Sequence, residues 1–293
     1  MGSQSKEEVR SLVKKDIELY RCPIMWTFEI TLVLLINWGI LLGFCAVLWV
    51  FCISLSNVSI IDRFWGPLCA APSVLTLLQT GVFSPHAVLL VSLSCIWALR
   101  VAYHITRKNW NAGQDARYEE DSSPKLTTAS SPLGSLVFVF LGQASLAWIV
   151  SAPVQLGQFY TDGKELSLLA WIGAAVWAIG FMVEMVGDWQ LKLFKAKPEN
   201  QGRILDRGLW AWTRHPNYFG DSVVWFGLFL IAAHNPLGIL SIFGPLLLLY
   251  FLIRVTGKDL TERVMLAKYP AYSEYMERTS GFFPLPPGKR RPK

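Results

Sequence analysis

The chain has few charged residues, and long uncharged apolar runs make up much of its length. Only 16% of its 293 residues are Asp, Glu, Lys or Arg, whereas 53% are hydrophobic. A soluble domain of this length would not need so many long uncharged runs. The composition therefore predicts a membrane protein. No basic domain and no nucleic-acid-binding motif is present, so nucleic acid is not an expected partner.

Several motifs are also missing. The five cysteines form no CxxC pair and mostly lie in or beside apolar runs, so we expect small buried side chains rather than disulfides or a metal site. The chain contains no GxGxxG sequence, which excludes a Rossmann dinucleotide site as far as sequence can. A charged stretch precedes the first apolar run, so no cleavable signal peptide is expected.

The apolar runs predict an all-α membrane protein with about seven transmembrane helices in a single domain, residues 28–293. Residues 1–27 precede it, and the spacing of apolar residues in 6–20 predicts an amphipathic helix on the membrane surface. The predicted spans are 28–54, 66–83, 85–106, 133–154, 166–187, 219–234 and 236–254.

Basic residues indicate the topology. Loops 107–132, 188–218 and 255–293 hold most of the Lys and Arg, and alternating helices put all three on one side, which should be the cytosol. Seven spans then place the N-terminus outside, against its own basic residues. Either that segment is an exception or the span count differs by one. The net charge of +6 suggests anionic lipid headgroups or an anionic ligand as partners.

Polar stripes gather at the helix ends on the predicted cytosolic side. Their spacing places each stripe on one helix face. Together they predict a pocket where the ends converge, half in lipid and half in water. The stripes are Asp62 and Arg63; Arg100, Tyr103, His104 and Arg107; Glu184, Asp188, Lys192 and Lys195; and Arg254, Lys258 and Glu262.

The most informative segment runs from Gly208 to Asp221 and reads GLWAWTRHPNYFGD. Pro216 suits the first turn of a helix. Helical spacing then puts Arg214, Asn217, Tyr218 and Asp221 on one side. Ionisable groups at membrane depth cost roughly 2.5–3.5 kcal/mol each, which favours a ligand site over a simple interfacial anchor.

These motifs resemble those of the steroid 5α-reductase and sterol Δ14-reductase superfamily, nearest its branch of uncharacterised oxidoreductase-like membrane proteins. The resemblance covers 165–287 well and rests on GLW, RHPNYFGD, LTER at 260–263, KYPAYSEY at 268–275 and Phe283-Pro284. Before residue 130 it is thin. Isoprenylcysteine carboxyl methyltransferases share the Arg-His-Pro core.

The resemblance implies NADPH-dependent reduction of a carbon–carbon double bond in a lipid-soluble substrate. It assigns Tyr103 as the active-site tyrosine and Asp62 as its paired carboxylate, where the steroid reductases have glutamate. The implied cofactor-binding residues are Asp188, Arg214, His215, Asn217, Tyr218, Asp221, Glu262 and Tyr269.

Basic residues on the same side can meet the phosphates of the nucleotide, and they favour NADPH over NADH; they include Arg117, Lys192, Lys195, Arg203, Arg207 and Arg214. A tyrosine hydroxyl backed by a carboxyl can polarise a substrate carbonyl during hydride transfer. His104 is a second candidate acid or a helix-end hydrogen bonder.

The sequence thus predicts an integral, multi-pass membrane reductase of a sterol-like, steroid or isoprenoid lipid, in the endoplasmic reticulum membrane if the source is eukaryotic. The alternatives are a membrane methyltransferase that uses S-adenosylmethionine and a non-catalytic lipid-binding protein.

Overall fold

The computed structural model describes residues 23–110, 131–159 and 165–287. Every regular element in these ranges is helical, and the β-structure in them is one isolated parallel bridge between Thr213 and Ser280. The all-α prediction is therefore confirmed for this part of the chain. The predicted amphipathic helix within 6–20 lies outside the described residues.

The described ranges contain a three-residue α-helical turn, Pro132–Gly134, and eleven longer α-helices, α1 to α11 in chain order. A 3₁₀ segment, Val58–Phe64, precedes α2, and π-helical segments, Ser135–Leu141 and Phe251–Val255, precede α4 and follow α9. The helices are α1 Pro23–Ser54, α2 Trp65–Thr80, α3 Pro85–Lys108, α4 Gly142–Val150, α5 Ala152–Leu156, α6 Leu168–Lys195, α7 Pro216–Ala232, α8 Pro236–Leu240, α9 Phe243–Tyr250, α10 Lys258–Lys268 and α11 Tyr272–Arg278.

Five helical stretches are long and apolar enough to cross a membrane. They are Thr27–Ser54, Pro85–Lys108, Pro132–Val150, Leu168–Lys195 and Pro236–Lys268. Helices also occupy the two other predicted positions, but α2 and α7 have only 16 and 17 residues. At 1.5 Å per residue they reach about 24–26 Å, less than the roughly 30 Å of hydrocarbon. An integral membrane protein is supported, and the number seven stays a prediction.

Helix starts follow local sequence signals. At four helix starts in the described ranges, the side-chain oxygen of an Asn or Ser accepts a backbone N–H that would otherwise lack a partner. Proline at the first helical position follows three of these caps, where its missing N–H costs nothing. The caps are Ser84, Ser131, Ser167 and Asn235.

Helices α6 and α7 pack against each other through glycine. A Cβ on Gly180 would lie 2.6 Å from the backbone N of Val224, and one on Gly227 would lie 2.5 Å from that of Trp177. A Cβ on Gly220 would lie 2.5 Å from the backbone N of Glu184. The backbones therefore approach too closely for any side chain. This contact sets the last turns of α6 beside the first turns of α7.

A buried ionic cluster ties the C-terminal segment to the start of α7; we call Arg214, His215 and Glu262 the C-terminal clamp. Arg214 Nε donates to Glu262 Oε1 at 2.8 Å, and its Nη1 donates to the carbonyl oxygen of Thr279 at 2.5 Å. His215 Nε2 lies 3.1 Å from the same carboxylate oxygen. Burial lowers the pKa of His215, more than Glu262 raises it, so a neutral ring donates this bond.

The glycine contact predicts that Gly180→Ala destabilises the protein by about 1–3 kcal/mol, because the added methyl group overlaps the α7 backbone. Thermal unfolding in mild detergent measures the effect. Gly43→Ala on α1 is the matched control, since nothing lies within 4 Å of its added Cβ. It should be neutral or slightly stabilising, because Ala favours helix over Gly. Equal stabilities of the two variants would contradict this packing.

The clamp predicts that Glu262→Ala costs about 3–5 kcal/mol of stability, because Arg214 would remain buried without its carboxylate. Both side chains are less than a tenth exposed. Glu274→Ala, at an exposed position of α11, serves as control and should stay within about 0.5 kcal/mol of the parent. A Glu262→Ala protein as stable as the control would show that the clamp is not structural.

Candidate functional site

A cavity of about 340 Å³ lies where the predicted cytosolic helix ends meet. This volume is at the lower end of the range for ligand pockets. Seven lining residues are apolar, and we call them together the apolar wall: Trp65, Val101, Ile105, Leu146, Leu248, Phe251 and Leu252. The polar lining residues, called together the polar wall, are Asp62, Arg100, His104, Lys108, Asn109, Gln143, Glu184, Asp188, Asn217, Tyr218, Asp221 and Thr256. The ends of α3 and α6 and the starts of α2 and α7 thus converge, as the polar stripes predict.

Arg100 is the central cation of the cavity. Its guanidinium donates to Glu184 through Nη1 and to Asp188 through Nη2. The two carboxylates lie four residues apart on one face of α6, so a single planar fork can reach both. All three side chains are largely buried, at 15, 7 and 9% exposure. Removal of a partner from such a pair leaves an uncompensated buried charge.

Asp188 extends this contact to α7. Asn217 Nδ2 donates to Asp188 Oδ1 at 3.2 Å, and His104 Nδ1 lies 3.6 Å from Asp188 Oδ2. A carboxylate can only accept, so the amide NH₂ of Asn217 must face it. The amide oxygen of Asn217 is consequently turned away from Asp188. One carboxylate therefore fixes the orientation of a side chain from a neighbouring helix.

Three buried acceptor atoms of the cavity have no hydrogen-bond partner among the described residues. They are Glu184 Oε2, Asn217 Oδ1 and Asp221 Oδ1. An unsatisfied buried acceptor costs about 1–3 kcal/mol. Such atoms are matched by the N–H or O–H groups of a ligand or by ordered water. The polar wall is therefore suited to a ligand rich in hydrogen-bond donors.

One lysine lines the cavity, and three others are grouped near it. Lys108 lines it, and Lys195 is close enough to Lys108 and Lys268 to be repelled by both. Lys192 similarly acts on His104. All four are exposed and come from α3, α6 and α10. We call Lys108, Lys192, Lys195 and Lys268 the lysine rim. Grouped cations of this kind suit phosphate groups.

The structure brings together five of the catalytic and cofactor-binding candidates that the resemblance assigns. Asp62, Asp188, Asn217, Tyr218 and Asp221 all line the cavity. Lys195 belongs to the lysine rim beside it. Asp62 accepts a hydrogen bond from Gln143 Nε2 at 3.4 Å. These positions are compatible with the expected roles, which stay predictions.

Tyr103 is not brought to the cavity. Its side chain is 64% exposed, and the guanidinium carbon of Arg107 lies 6.0 Å from its ring centroid. Around the helix axis, at roughly 100° per residue, the mean direction of the cavity-lining α3 residues is about 130° away from that of Tyr103. These residues are Arg100, Val101, His104, Ile105 and Lys108. No hydrogen bond joins Tyr103 to Asp62 among the described residues. The expected tyrosine–carboxylate pair is thus not formed in this structure.

Other candidate cofactor residues lie elsewhere. Arg214, His215 and Glu262 form the C-terminal clamp and do not line the cavity. Tyr269 follows α10, where Lys268 Nζ lies 5.6 Å from its ring centroid. Arg117 lies outside the described residues. The clamp explains why the Arg-His-Pro motif is tied to the C-terminal segment, and any direct cofactor contact of these residues stays a prediction.

Sequence reasoning assigned no role in binding or catalysis to several lining residues. Arg100 and Glu184 belong to polar stripes, but their mutual contact spans 84 residues of chain. Gln143 gave a weaker signal, because it is a polar residue in the otherwise apolar stretch 132–150. A search for uncommon polar residues within apolar runs could have found it.

The chain matches a family model described as a protein of unknown function (DUF1295) over residues 48–279. An uncharacterised protein of Schizosaccharomyces pombe is 26% identical over 275 residues, covering 84% of this chain and 78% of that protein. A probable O-methyltransferase, ustE, of Ustilaginoidea virens is 28% identical over 112 residues, covering 38% and 34%. No solved structure matches. The chain belongs to the DUF1295 family, a steroid 5α-reductase-like family.

Proposed function

We propose that this protein is an integral membrane oxidoreductase that uses NADPH to reduce a carbon–carbon double bond of a sterol-like, steroid or isoprenoid lipid. The observation that supports this function best is the mixed lining of the cavity. Its polar residues include unpaired acceptors near the lysine rim, and seven of its other lining residues are apolar. A polar nucleotide and a lipid-soluble substrate together need both kinds of lining. Family membership supports the same reaction class.

The residues of the polar wall fit this cofactor. The unpaired oxygens of Asn217 and Asp221 suit the carboxamide N–H and the ribose hydroxyls, with Asp188 and Tyr218 beside them. The lysine rim suits the phosphates, including the 2′-phosphate that distinguishes NADPH from NADH. When bound, NADPH supplies the hydride. Since the chain lacks GxGxxG, its phosphates must be bound by side chains of this kind.

The apolar wall suits the substrate. Its residues include Val101, Leu146, Leu248, Phe251 and Leu252. These residues belong to spans or to their ends, so a lipid-soluble molecule can arrive from the bilayer. Asp62 and Gln143 lie at this cavity too and are the polar groups that we assign to an oxygen of the substrate. In a eukaryote we place the protein in the endoplasmic reticulum membrane, where lipid and steroid metabolism takes place.

A second candidate is a methyltransferase that uses S-adenosylmethionine. The similarity to a probable O-methyltransferase favours it. So does the charge of the cavity wall, where four carboxyl groups face two strong cations, Arg100 and Lys108. An acidic wall attracts a sulfonium ion. S-adenosylmethionine, in contrast, has no phosphate group that the lysine rim could bind. For this reason we rank the reductase first.

The lysine rim predicts that the purified protein binds NADPH more tightly than NADH and does not bind S-adenosylmethionine. Isothermal titration in mild detergent compares the three ligands directly. The double variant Lys192→Ala/Lys195→Ala should lose most of the preference for NADPH over NADH, because these two lysines are proposed to bind the 2′-phosphate. Arg263→Ala, which removes one exposed cation of α10 outside the lysine rim, is the control and should keep the preference. Binding of S-adenosylmethionine with no affinity for NADPH would establish the methyltransferase instead.

Asn217→Ala should weaken NADPH binding by about 1.5–3 kcal/mol, or roughly 10- to 150-fold, because it removes a fixed acceptor at the cavity. Unfolding temperature measured without ligand controls for the lost bond to Asp188. Unchanged NADPH affinity in a folded Asn217→Ala protein would remove Asn217 from the proposed cofactor site.

The variant Tyr103→Phe distinguishes the role that the family resemblance implies for Tyr103 from the role that its position outside the cavity implies. The resemblance predicts that loss of this hydroxyl slows reduction by about 10²-fold. The position of Tyr103 outside the cavity predicts nearly the parental rate and unchanged NADPH affinity. Turnover of a panel of Δ4-3-keto steroids and Δ14 or Δ24 sterols identifies the substrate on which this is measured. A large loss of turnover in Tyr103→Phe would show that the tyrosine reaches the substrate after all.

A further inference from the structure

One polar contact of the cavity has apolar lining residues close to it in the chain. Gln143 Nε2 donates a hydrogen bond to Asp62 Oδ1 at 3.4 Å, and both residues line the cavity. Trp65 follows Asp62 by three residues, Leu146 follows Gln143 by three, and both of these also line it. Residues three apart in a helix lie on the same side. The contact of Gln143 with Asp62 therefore belongs to a part of the cavity that also has apolar lining.

Gln143 is carried by a helix that packs against apolar helices. Helix α4 contacts α1, α2 and α9, and α9 contributes Leu248 to the cavity. The residues that we assign to the nucleotide come instead from α6 and α7. They are Asp188, Asn217, Tyr218 and Asp221. Different elements therefore carry the two polar groups of the site, and Gln143 belongs to the group on the substrate's elements.

The contact with Asp62 fixes the orientation of the Gln143 amide. A carboxylate can only accept hydrogen bonds, so the NH₂ group of Gln143 must face Asp62. The amide oxygen of Gln143 is then turned away from Asp62. Carboxylate and amide oxygens each accept more than one hydrogen bond. The contact therefore presents acceptors, which an O–H group of a ligand can match and a carbonyl or ether oxygen cannot.

We propose that the substrate is a lipid alcohol, and that Gln143, oriented by Asp62, selects it by accepting a hydrogen bond from the hydroxyl group. This inference rests on the proposed reductase function for the identification of the bound lipid as a substrate. A ketone or an ether of the same skeleton has an oxygen but no donor. It would leave the acceptors of this contact unmatched, which lowers affinity.

Stronger donors of the cavity lie beside other groups. Arg100 donates to Glu184 and Asp188, and His104 Nδ1 lies 3.6 Å from Asp188 Oδ2. Lys108 belongs to the lysine rim, which we assign to phosphates. These donors are all on α3 and lie beside carboxylates or the proposed cofactor. A lipid ketone that bound more tightly than the alcohol would indicate that one of these donors meets the substrate instead.

Competition binding to the purified full-length protein in mild detergent tests this selection without NADPH and without turnover. A tritiated Δ14 3β-hydroxysterol is displaced by the unlabelled alcohol, its 3-ketone and its 3-methyl ether. A second series displaces tritiated geranylgeraniol with the unlabelled alcohol and its methyl ether. The protein should bind at least one of the two alcohols, and about tenfold or more tightly than the partners that lack a hydroxyl donor.

Two variants assign this preference to the contact. Gln143→Leu keeps the size of the side chain but removes the amide, so it should bind the alcohol about tenfold more weakly and without preference. Asp62→Asn removes the carboxylate that fixes the amide. Gln143 can then turn its NH₂ group to the lipid, and the preference for alcohol should fall below about threefold. Gln201→Leu, at an exposed position outside the cavity, is the matched control and should keep the preference.

Three outcomes would overturn the selection of an alcohol: ketone or ether bound as tightly as the alcohol, a preference that survives in Gln143→Leu, or no binding of either alcohol. Thermal unfolding shows whether each variant is folded, and Asp62→Asn decides if Gln143→Leu is not. Tight alcohol binding without any reduction after NADPH is added would refute the proposed function. The selection of a hydroxyl group by Gln143 would then still be supported.

Discussion

The site depends on the contact of Arg100 with Glu184 and Asp188. A guanidinium with two carboxylates, largely removed from water, holds the end of α3 against the end of α6. Asp188 also accepts a hydrogen bond from Asn217 on α7 and thereby fixes the orientation of the Asn217 amide. Three helix ends are thereby fixed around one cavity. The same contact compensates negative charge on Glu184 and Asp188 that would be costly to bury without a cation.

Two further features make this contact possible. Glycines at the α6–α7 crossing let the backbones touch, which brings Glu184 and Asp221 to the same level. The C-terminal clamp then fixes the loop before α7 through Arg214 and Glu262, so the first turn of α7 has a defined position. The segment RHPNY, residues 214–218, thus contains both scaffold residues and cavity residues. Arg214 and His215 build the scaffold, and Asn217 and Tyr218 face the cavity.

The sequence predicted much of the fold, because long apolar runs leave few alternatives to helices. It also predicted the helix ends at which the site lies, since the polar stripes at 100–107 and 184–195 stand out in apolar surroundings. It could not assign faces within a stripe: Arg100 and Tyr103 are three residues apart, yet only Arg100 lines the cavity. The Arg100–Glu184 contact joins residues 84 apart, which depends on helix packing rather than local pattern. Arg214 and His215 of the clamp likewise lie in one motif with Asn217 and Tyr218 of the cavity, and the sequence pattern alone does not distinguish the two groups.

Binding of NADPH in this cavity is tested most directly by a structure of the protein determined with NADPH added. The nicotinamide end is expected beside Asp188 and Asn217, next to apolar lining residues, and the phosphates are expected at the lysine rim. Nucleotide bound elsewhere would contradict this binding mode, as would a cavity that accepts only S-adenosylmethionine under the same conditions.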